Sequence, residues 1–127
     1  MKTVVVVDDD ENMRDTVADI LAMEGYDVHR FSQASEVLPW VEGRSVDLVV
    51  TDLNMPDMDG VQLLAALRKA GGHIPVIVLT GAGFEHRAED VLARGAHACF
   101  AKPFDIDVFL NAVSEVLMVG TAREEAS

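Results

Sequence analysis

The stretch VDLVVTDLNMPDMDG, residues 46–60, decides the fold of this chain. Residues 46–50 are mostly apolar, which is typical of a strand buried on both faces of a parallel sheet. The run ends at Asp52, and the Asn, Pro and Gly residues that follow predict an irregular loop before the next helix. Asp52 therefore lies at the carboxyl end of a strand, the edge where ligands bind in open α/β sheets. For this residue alone, simple termination of the strand is an equally good interpretation.

The rest of the chain repeats this alternation of strand and helix. Further apolar runs predict strands at residues 2–8, 76–80 and 98–101, and a weak alternation predicts one at 26–31. Helical spacing of apolar residues predicts a first helix that ends at Gly25 and others at about 33–42, 60–70, 85–94 and 105–118. Strict alternation predicts an α/β fold, a doubly wound, five-stranded parallel sheet of the flavodoxin-like (βα)5 type with strand order 2-1-3-4-5. We expect one domain over residues 1–118 and a C-terminal tail over residues 119–127.

Composition narrows the class of protein. The 127 residues suit a single domain, and no apolar run is long enough to span a membrane. The single cysteine, Cys99, excludes an internal disulfide, and the N-terminal apolar run is too short for a signal peptide, so we expect a cytoplasmic protein. Ten basic residues against 22 acidic ones give a net charge of −12, which disfavours direct binding to nucleic acid.

Polar side chains follow four of the five predicted strands. Asp8 and Asp9 come after the first strand, and Asp52 ends the third. Thr80 ends the fourth strand and Lys102 follows the fifth. Because the carboxyl ends of parallel strands meet at one edge, we expect these side chains to lie close together. Strand capping explains any one of these placements, whereas four matching placements predict a site.

Three carboxylates at one edge repel each other, since two unit charges ~4 Å apart cost ~4 kcal/mol at an effective dielectric of 20. Lys102 supplies one compensating charge, and an all-oxygen ligand set favours Mg²⁺ as the source of the rest. Beside such an ion, Asp52 is suited to act as a nucleophile towards phosphorus. The Lys102 ammonium, the Thr80 hydroxyl and backbone amides near Asn54 and Gly81 are suitable donors to the developing charge.

The chain carries four motifs in a fixed order: VVVVDDDENMR, VVTDLNMPDMDG, VIVLTG and AKPF. In order and spacing they resemble the receiver domains of bacterial two-component response regulators, the CheY-like family. The resemblance covers residues 1 to about 118. It implies that Asp52 accepts a phosphoryl group in phosphorelay signal transduction. It also implies a domain that assists its own phosphorylation and dephosphorylation rather than an enzyme with a separate substrate.

For the metal site, the resemblance implies four ligand positions. Asp9 and Asp52 would bind Mg²⁺ directly through their side chains, and Asn54 would bind it through its backbone carbonyl. Asp8 would act through a water molecule or a hydrogen bond. The two acidic residues after Asp9 either tune the metal affinity or favour the helix dipole in the first turn of the next helix.

Around the phosphoryl group, the resemblance implies contacts from Thr80, Gly81 and Lys102, and a cis peptide bond after Lys102. The family usually places Tyr or Phe three residues before the lysine, as a rotating partner of the threonine. Here Cys99 occupies that switch position and Phe100 follows it, so Phe100 could replace the aromatic residue only if the strand register shifted. We expect Cys99 to be a small buried residue and the threonine–aromatic switch to be absent or altered.

The implied partners are a sensor histidine kinase or a histidine phosphotransfer protein. Met13 and Val17 of the first helix and the loop around Phe104 would form the docking surface, and a homodimer through helices four and five is common in the family. Phosphorylation would change the interactions of the domain with its downstream partners. The chain is either a single-domain regulator or the receiver part of a longer response regulator or hybrid kinase.

Two other classes of function compete with this interpretation. A receiver-like interaction module that is not phosphorylated would be expected to lack an acid, the threonine or the lysine of the site, and this chain lacks none. A Mg²⁺-dependent phosphohydrolase would need an acid two residues after its nucleophile, and Asn54 stands there instead.

Overall fold

Ten elements alternate along the parts of the chain that the computed structural model describes, residues 1–55, 58–69, 73–81 and 87–126, with side chains described as far as Met118. The strands are β1 (Thr3–Val7), β2 (Asp27–Phe31), β3 (Leu48–Asp52), β4 (Val76–Thr80) and β5 (Ala98–Ala101). The helices are α1 (Glu11–Met23), α2 (Ala34–Val41), α3 (Gly60–Lys69), α4 (Ala88–Ala93) and α5 (Ile106–Ala126). Three predicted loop or stop signals, Pro56, Gly71–Gly72 and Ala82–Gly83, lie outside the described residues.

The five described strands run parallel in one sheet, in the order β2-β1-β3-β4-β5. The predicted doubly wound α/β fold and its strand order are therefore confirmed. The register pairs Val7 of β1 with Thr51 of β3, and Asp52 of β3 with Leu79 of β4. Every residue of β3 and β4 is buried, because neither strand is at an edge and helices cover both faces.

Alternate residues of the strands build two hydrophobic clusters, one on each face of the sheet. Val5 and Val7 of β1 pack with α2, α3 and α4 on one face, and Val4 and Val6 pack with α1 and α5 on the other. Phe109 of α5 is fully buried in the second cluster. Burial on both faces explains why β1, β3 and β4 are nearly continuous apolar runs in the sequence rather than alternating ones.

Helix lengths differ from the sequence prediction. Helix α5 continues to Ala126, past residue 118 where the predicted helix ends. Its last turns contain Ala, Arg and Glu, which are strong helix formers. Helix α4 is Ala88–Ala93, and residues 85 and 86 of the predicted 85–94 lie outside the described residues. Helix α2 spans eight residues with Pro39 inside it. In the described part of the chain, we find no helix with the length and hydropathy of a membrane span.

Gly60 begins α3 in direct contact with the backbone that follows β3. Its N–H donates to the carbonyl oxygen of Leu53 at 2.7 Å. A Cβ atom on Gly60 would lie 2.9 Å from the carbonyl oxygen of Asp52 and 3.1 Å from the Cα of Leu53. Backbone atoms cannot rotate away, so a glycine at this position allows α3 to approach the end of β3 this closely.

We expect Gly60→Ala to lower the free energy of unfolding by about 1–3 kcal/mol, because the added methyl group forces a backbone shift in a packed region. Gly81→Ala is the matched control, since a Cβ at Gly81 meets nothing within 4 Å. Urea unfolding followed by circular dichroism measures both variants. Equal stability of the two variants would contradict the packing argument.

Candidate functional site

Two buried carboxylates meet at the carboxyl ends of β1 and β3. Asp8 is 2% exposed and Asp52 is 8% exposed, whereas the neighbouring Asp9 is exposed. The parallel register places Val7 beside Thr51, so the residues that come next in each strand are neighbours. The N–H of Asp8 continues the pairing with β2 by donating to the carbonyl oxygen of its last residue at 3.1 Å.

The carboxylates of Asp8, Asp9 and Asp52 form a candidate metal site. One oxygen from each lies within 4.8 Å of the others. Carboxylate oxygens are the ligands that hard divalent cations select. In the described ranges, no other group of three or more His, Cys, Asp or Glu side chains comes this close. The cluster can therefore hold a metal ion, and its donor set fits Mg²⁺ rather than zinc or copper.

Lys102 reaches both buried carboxylates from the end of β5. Its Nζ lies 3.3 Å from Asp8 Oδ2 and 3.4 Å from Asp52 Oδ1. Its backbone N–H donates to the carbonyl oxygen of Thr80 at 2.8 Å, which extends the β4–β5 ladder past the last residue of β5. The Lys102–Pro103 peptide bond is cis. The structure thus brings four of the predicted site residues together.

The charge of Asp52 is only partly compensated by these contacts. Burial raises the pKa of Asp52 from 3.8 to about 6, and the charge of Asp8 acts in the same direction. The Lys102 ammonium opposes this rise through its charge and its hydrogen bond, and Asp9 adds a smaller increase. A further positive charge at the cluster would favour the ionised carboxylate.

Two contacts that hold Asp8 were not predicted from the sequence. The backbone N–H of Asp10 donates to Asp8 Oδ1 at 2.9 Å, and Arg14 Nη1 donates to the Asp8 carbonyl oxygen at 3.2 Å. Asp10 is also the N-cap of α1, because its Oδ1 accepts from N–H groups of the first turn. Of the two roles considered for the acids after Asp9, the structure supports the helix role for Asp10. In the sequence, this cap is indicated by an acidic residue directly before a segment whose apolar residues have helical spacing.

The remaining predicted site residues follow β3 and β4 at the same edge of the sheet. Thr80 is 1% exposed, and within the described residues its hydroxyl has no hydrogen-bond partner. Asn54 is exposed two residues after Asp52, and Gly81 is half-buried directly after β4. An unpaired buried hydroxyl is costly to the folded state, so Thr80 is available to a ligand that offers an acceptor oxygen.

Cys99, the predicted switch position, pairs with Val78 of β4 in the β4–β5 ladder. Cys99 packs in the cluster that contains Val78, whereas Phe100 packs in the cluster on the opposite face. Phe100 therefore does not take the place of the usual aromatic residue. Cys99 is half-buried rather than buried, because β5 is an edge strand, although its burial still raises the pKa of the thiol.

Comparison with known proteins agrees with this geometry. The chain matches the response regulator receiver domain family over residues 4–114. It is 34% identical over 111 residues to the response regulator protein FleR of Pseudomonas aeruginosa, a match that covers 87% of this chain and 24% of FleR. It is 38% identical over 111 residues to the transcriptional regulatory protein FixJ of Rhizobium meliloti, which covers 87% of this chain and 54% of FixJ.

The crystal structure of FixJ-N matches this fold with a TM-score of 0.86 at 36% sequence identity, over 93% of this chain and 94% of FixJ-N. The chain thus spans 24% of the length of FleR and 54% of the length of FixJ. The sheet order, the carboxylate–lysine cluster and the family match over residues 4–114 lead to one assignment. This chain belongs to the family of receiver domains of two-component response regulators.

Proposed function

We propose that Asp52 carries the phosphoryl group of this receiver domain. The observation that supports it is a nearly buried carboxylate at the end of β3, paired with Lys102 and flanked by Asp8 and Asp9. In the proposed transfer, an oxygen of Asp52 attacks phosphorus while the bond from phosphorus to the donor nitrogen breaks. The products are an acyl phosphate on Asp52 and a free histidine on the donor.

Receiver domains of this family act with histidine kinases. For this chain we propose that the donor is a phosphohistidine of a sensor kinase or of a histidine phosphotransfer protein. The proposed docking surface is α1 with Met13, together with the loop around Phe104; both border the cluster, because α1 follows Asp8 closely and Phe104 follows Lys102. Val17, which was predicted as part of this surface, is 1% exposed in the core and is not available to a partner. Exposed apolar side chains on α5, Ile106 and Val108, support the predicted homodimer surface.

We propose Mg²⁺ as the metal that the carboxylate cluster holds. The proposed direct ligands are the side chains of Asp9 and Asp52 and the backbone carbonyl of Asn54, and Asp8 acts through a water molecule or a hydrogen bond. When bound, Mg²⁺ supplies positive charge beside the transferred phosphoryl oxygens. Lys102 supplies a second positive charge at the same place, and the Thr80 hydroxyl and the Gly81 N–H donate hydrogen bonds to the phosphoryl oxygens.

The competing functions have less support from the site. A non-phosphorylated interaction module does not account for the retained cluster of three acids, lysine and unpaired Thr80 hydroxyl. A phosphohydrolase lacks its second acid, because Asn54 is where that acid would stand. Output through a partner protein and output through a further domain of a longer regulator both agree with the proposal. The cytoplasmic location and the domain boundary at residue 118 stay predictions.

Incubation with acetyl phosphate and Mg²⁺ is expected to add one phosphoryl group to the wild-type protein, detected by intact-mass spectrometry. Asp52→Asn is expected to take up none, because an amide is not a nucleophile towards phosphorus. Asp19→Asn, which removes an exposed carboxylate of α1, is the matched control and should be phosphorylated like wild type. An adduct on Asp52→Asn, or none on folded wild type with Mg²⁺, would overturn the proposed function.

Mg²⁺ is expected to raise the thermal unfolding midpoint of the wild-type protein, because an ion that binds only the folded state stabilises it by mass action. At a concentration ~100 times Kd the stabilisation is ~2.7 kcal/mol. Asp9→Asn should shrink this effect at a given Mg²⁺ concentration, since it removes one of the three clustered carboxylates. Differential scanning calorimetry with Mg²⁺ and with EDTA measures the shift, and an undiminished shift in Asp9→Asn would contradict the assigned ligand set.

Without divalent ions, Asp52→Asn is expected to be more stable than wild type at pH 7.5 by about 1–3 kcal/mol. The pKa of Asp52 in the folded state, about 6, exceeds its ordinary value of 3.8. The proton on Asp52 therefore stabilises the folded state fully below pH ~4, and this stabilisation is lost as the pH rises through ~6.

The difference between variant and wild type should consequently vanish towards pH ~4. Urea unfolding of the variant and of wild type across the range from pH ~4 to ~8 measures this difference. If the variant is less stable than wild type at pH 7.5, the conclusion that the charge of Asp52 is only partly compensated is wrong.

A further inference from the structure

The side chain of Lys102 is too flexible to hold its own ammonium group in place. The ammonium group must stay 3.3–3.4 Å from two carboxylates, yet a lysine side chain is a flexible four-carbon chain. It follows β5, an edge strand whose four residues are all only partly buried. On the β5 side, the backbone is held by the β4–β5 ladder, which ends with the hydrogen bond from the Lys102 N–H to the Thr80 carbonyl oxygen at 2.8 Å. The backbone on the α5 side must be held by something else.

Three phenylalanine rings pack on one another close to Lys102 in the chain and in α5. Phe100 lies two residues before the lysine, Phe104 lies two residues after it, and Phe109 lies in α5. The ring centroids of Phe104 and Phe109 are 5.2 Å apart, and those of Phe100 and Phe109 are 5.9 Å apart in an edge-to-face arrangement. Phe100 and Phe104 complete the triangle at 6.3 Å. These separations lie in the range in which aromatic rings attract each other beyond simple burial.

Phe109 makes this triangle a fixed support, because it is fully buried in the cluster beneath β1 and β3. Both chain segments that leave Lys102 therefore carry a ring that packs on the buried ring of Phe109. The start of α5 is fixed as well, since Asp105 Oδ1 accepts from the N–H groups of Asp107 and Val108 at 2.8 and 3.2 Å. Phe104 is the link between this capped helix and the lysine.

We infer that Phe104 is a positioning residue for Lys102 and acts on the reaction at Asp52 only through the lysine. The inference rests on the proposed function of Asp52. Phe104→Leu keeps an apolar side chain but loses the ring contacts to Phe109 and Phe100, so the Lys102 backbone gains freedom. A misplacement of about 1 Å in a reacting constellation costs up to ~100-fold in rate, and a partial loss of order here should cost about tenfold.

A double-mutant cycle between Phe104 and Lys102 tests this inference. Phe104→Leu is made in wild type and in Lys102→Ala, and the initial rate of phosphorylation by acetyl phosphate is followed by intact mass at saturating Mg²⁺. A small donor is used because it does not need the docking surface, which contains Phe104. Folding of every variant is checked by circular dichroism.

We expect Phe104→Leu to slow phosphorylation about tenfold in wild type and less than about twofold in Lys102→Ala. Phe104→Tyr, which keeps the ring, should recover the rate to within about twofold. Trp40→Leu is the matched control, because Trp40 is also half-buried and packs edge-to-face on a ring, that of Phe31, at 5.4 Å on the other side of the sheet. It should change the rate less than about twofold.

Equal slowing by Phe104→Leu in both backgrounds would overturn the inference, as would a tyrosine variant as slow as the leucine variant. Failure of the proposed function is a separate result, namely no adduct on wild type. In that case, or where Lys102→Ala is too slow to measure, the same cycle is run on urea unfolding without donor or Mg²⁺. Coupling of at least about threefold in the unfolding equilibrium constant supports the inference, and additive effects overturn it.

Discussion

The pairing of one lysine with two buried carboxylates is the interaction on which the rest of this structure depends. Asp8, Asp52 and Lys102 follow or end three different strands, and buried charges are tolerated only when they are paired. Lys102 must cross the end of β4 to reach the carboxylates of β3 and β1, because adjacent strands lie ~4.8 Å apart. A long side chain at the end of β5 is therefore required, and the sheet order 2-1-3-4-5 is a condition for the site.

Lys102 compensates only part of the negative charge of the carboxylate cluster, and the remaining charge favours binding of a cation. One ammonium faces two buried carboxylates and a third exposed one, so the pKa of Asp52 stays above its ordinary value. The Thr80 hydroxyl, buried with no partner in the described part of the chain, is a second unsatisfied group at this edge. Perturbed acids and unpaired polar groups of this kind concentrate at functional sites. A cation and a phosphoryl group together would satisfy what the folded chain alone does not.

Much of this arrangement could be predicted from the sequence, for physical reasons. Strands buried on both faces produce continuous apolar runs, and the residue after each run must lie at the ligand-binding edge, which predicted the approach of Asp8, Asp52 and Lys102. Features that depend on tertiary neighbours were not predictable. Periodicity did not indicate that α5 extends to Ala126, and residue type did not show that Cys99 is only half-buried. The Arg14 contact to the Asp8 backbone likewise depends on the angle at which α1 leaves the sheet.

The hydrogen bond between the Gly60 N–H and the Leu53 carbonyl oxygen has a consequence for how this domain can diverge. It closes the segment after Asp52 into a loop whose two ends are pinned to the sheet and to α3. Residues inside such a loop can be exchanged without moving its ends, because loop sequence and loop anchoring are separate. The carboxylate of Asp52 can therefore keep its position while the loop surface beside it varies in sequence.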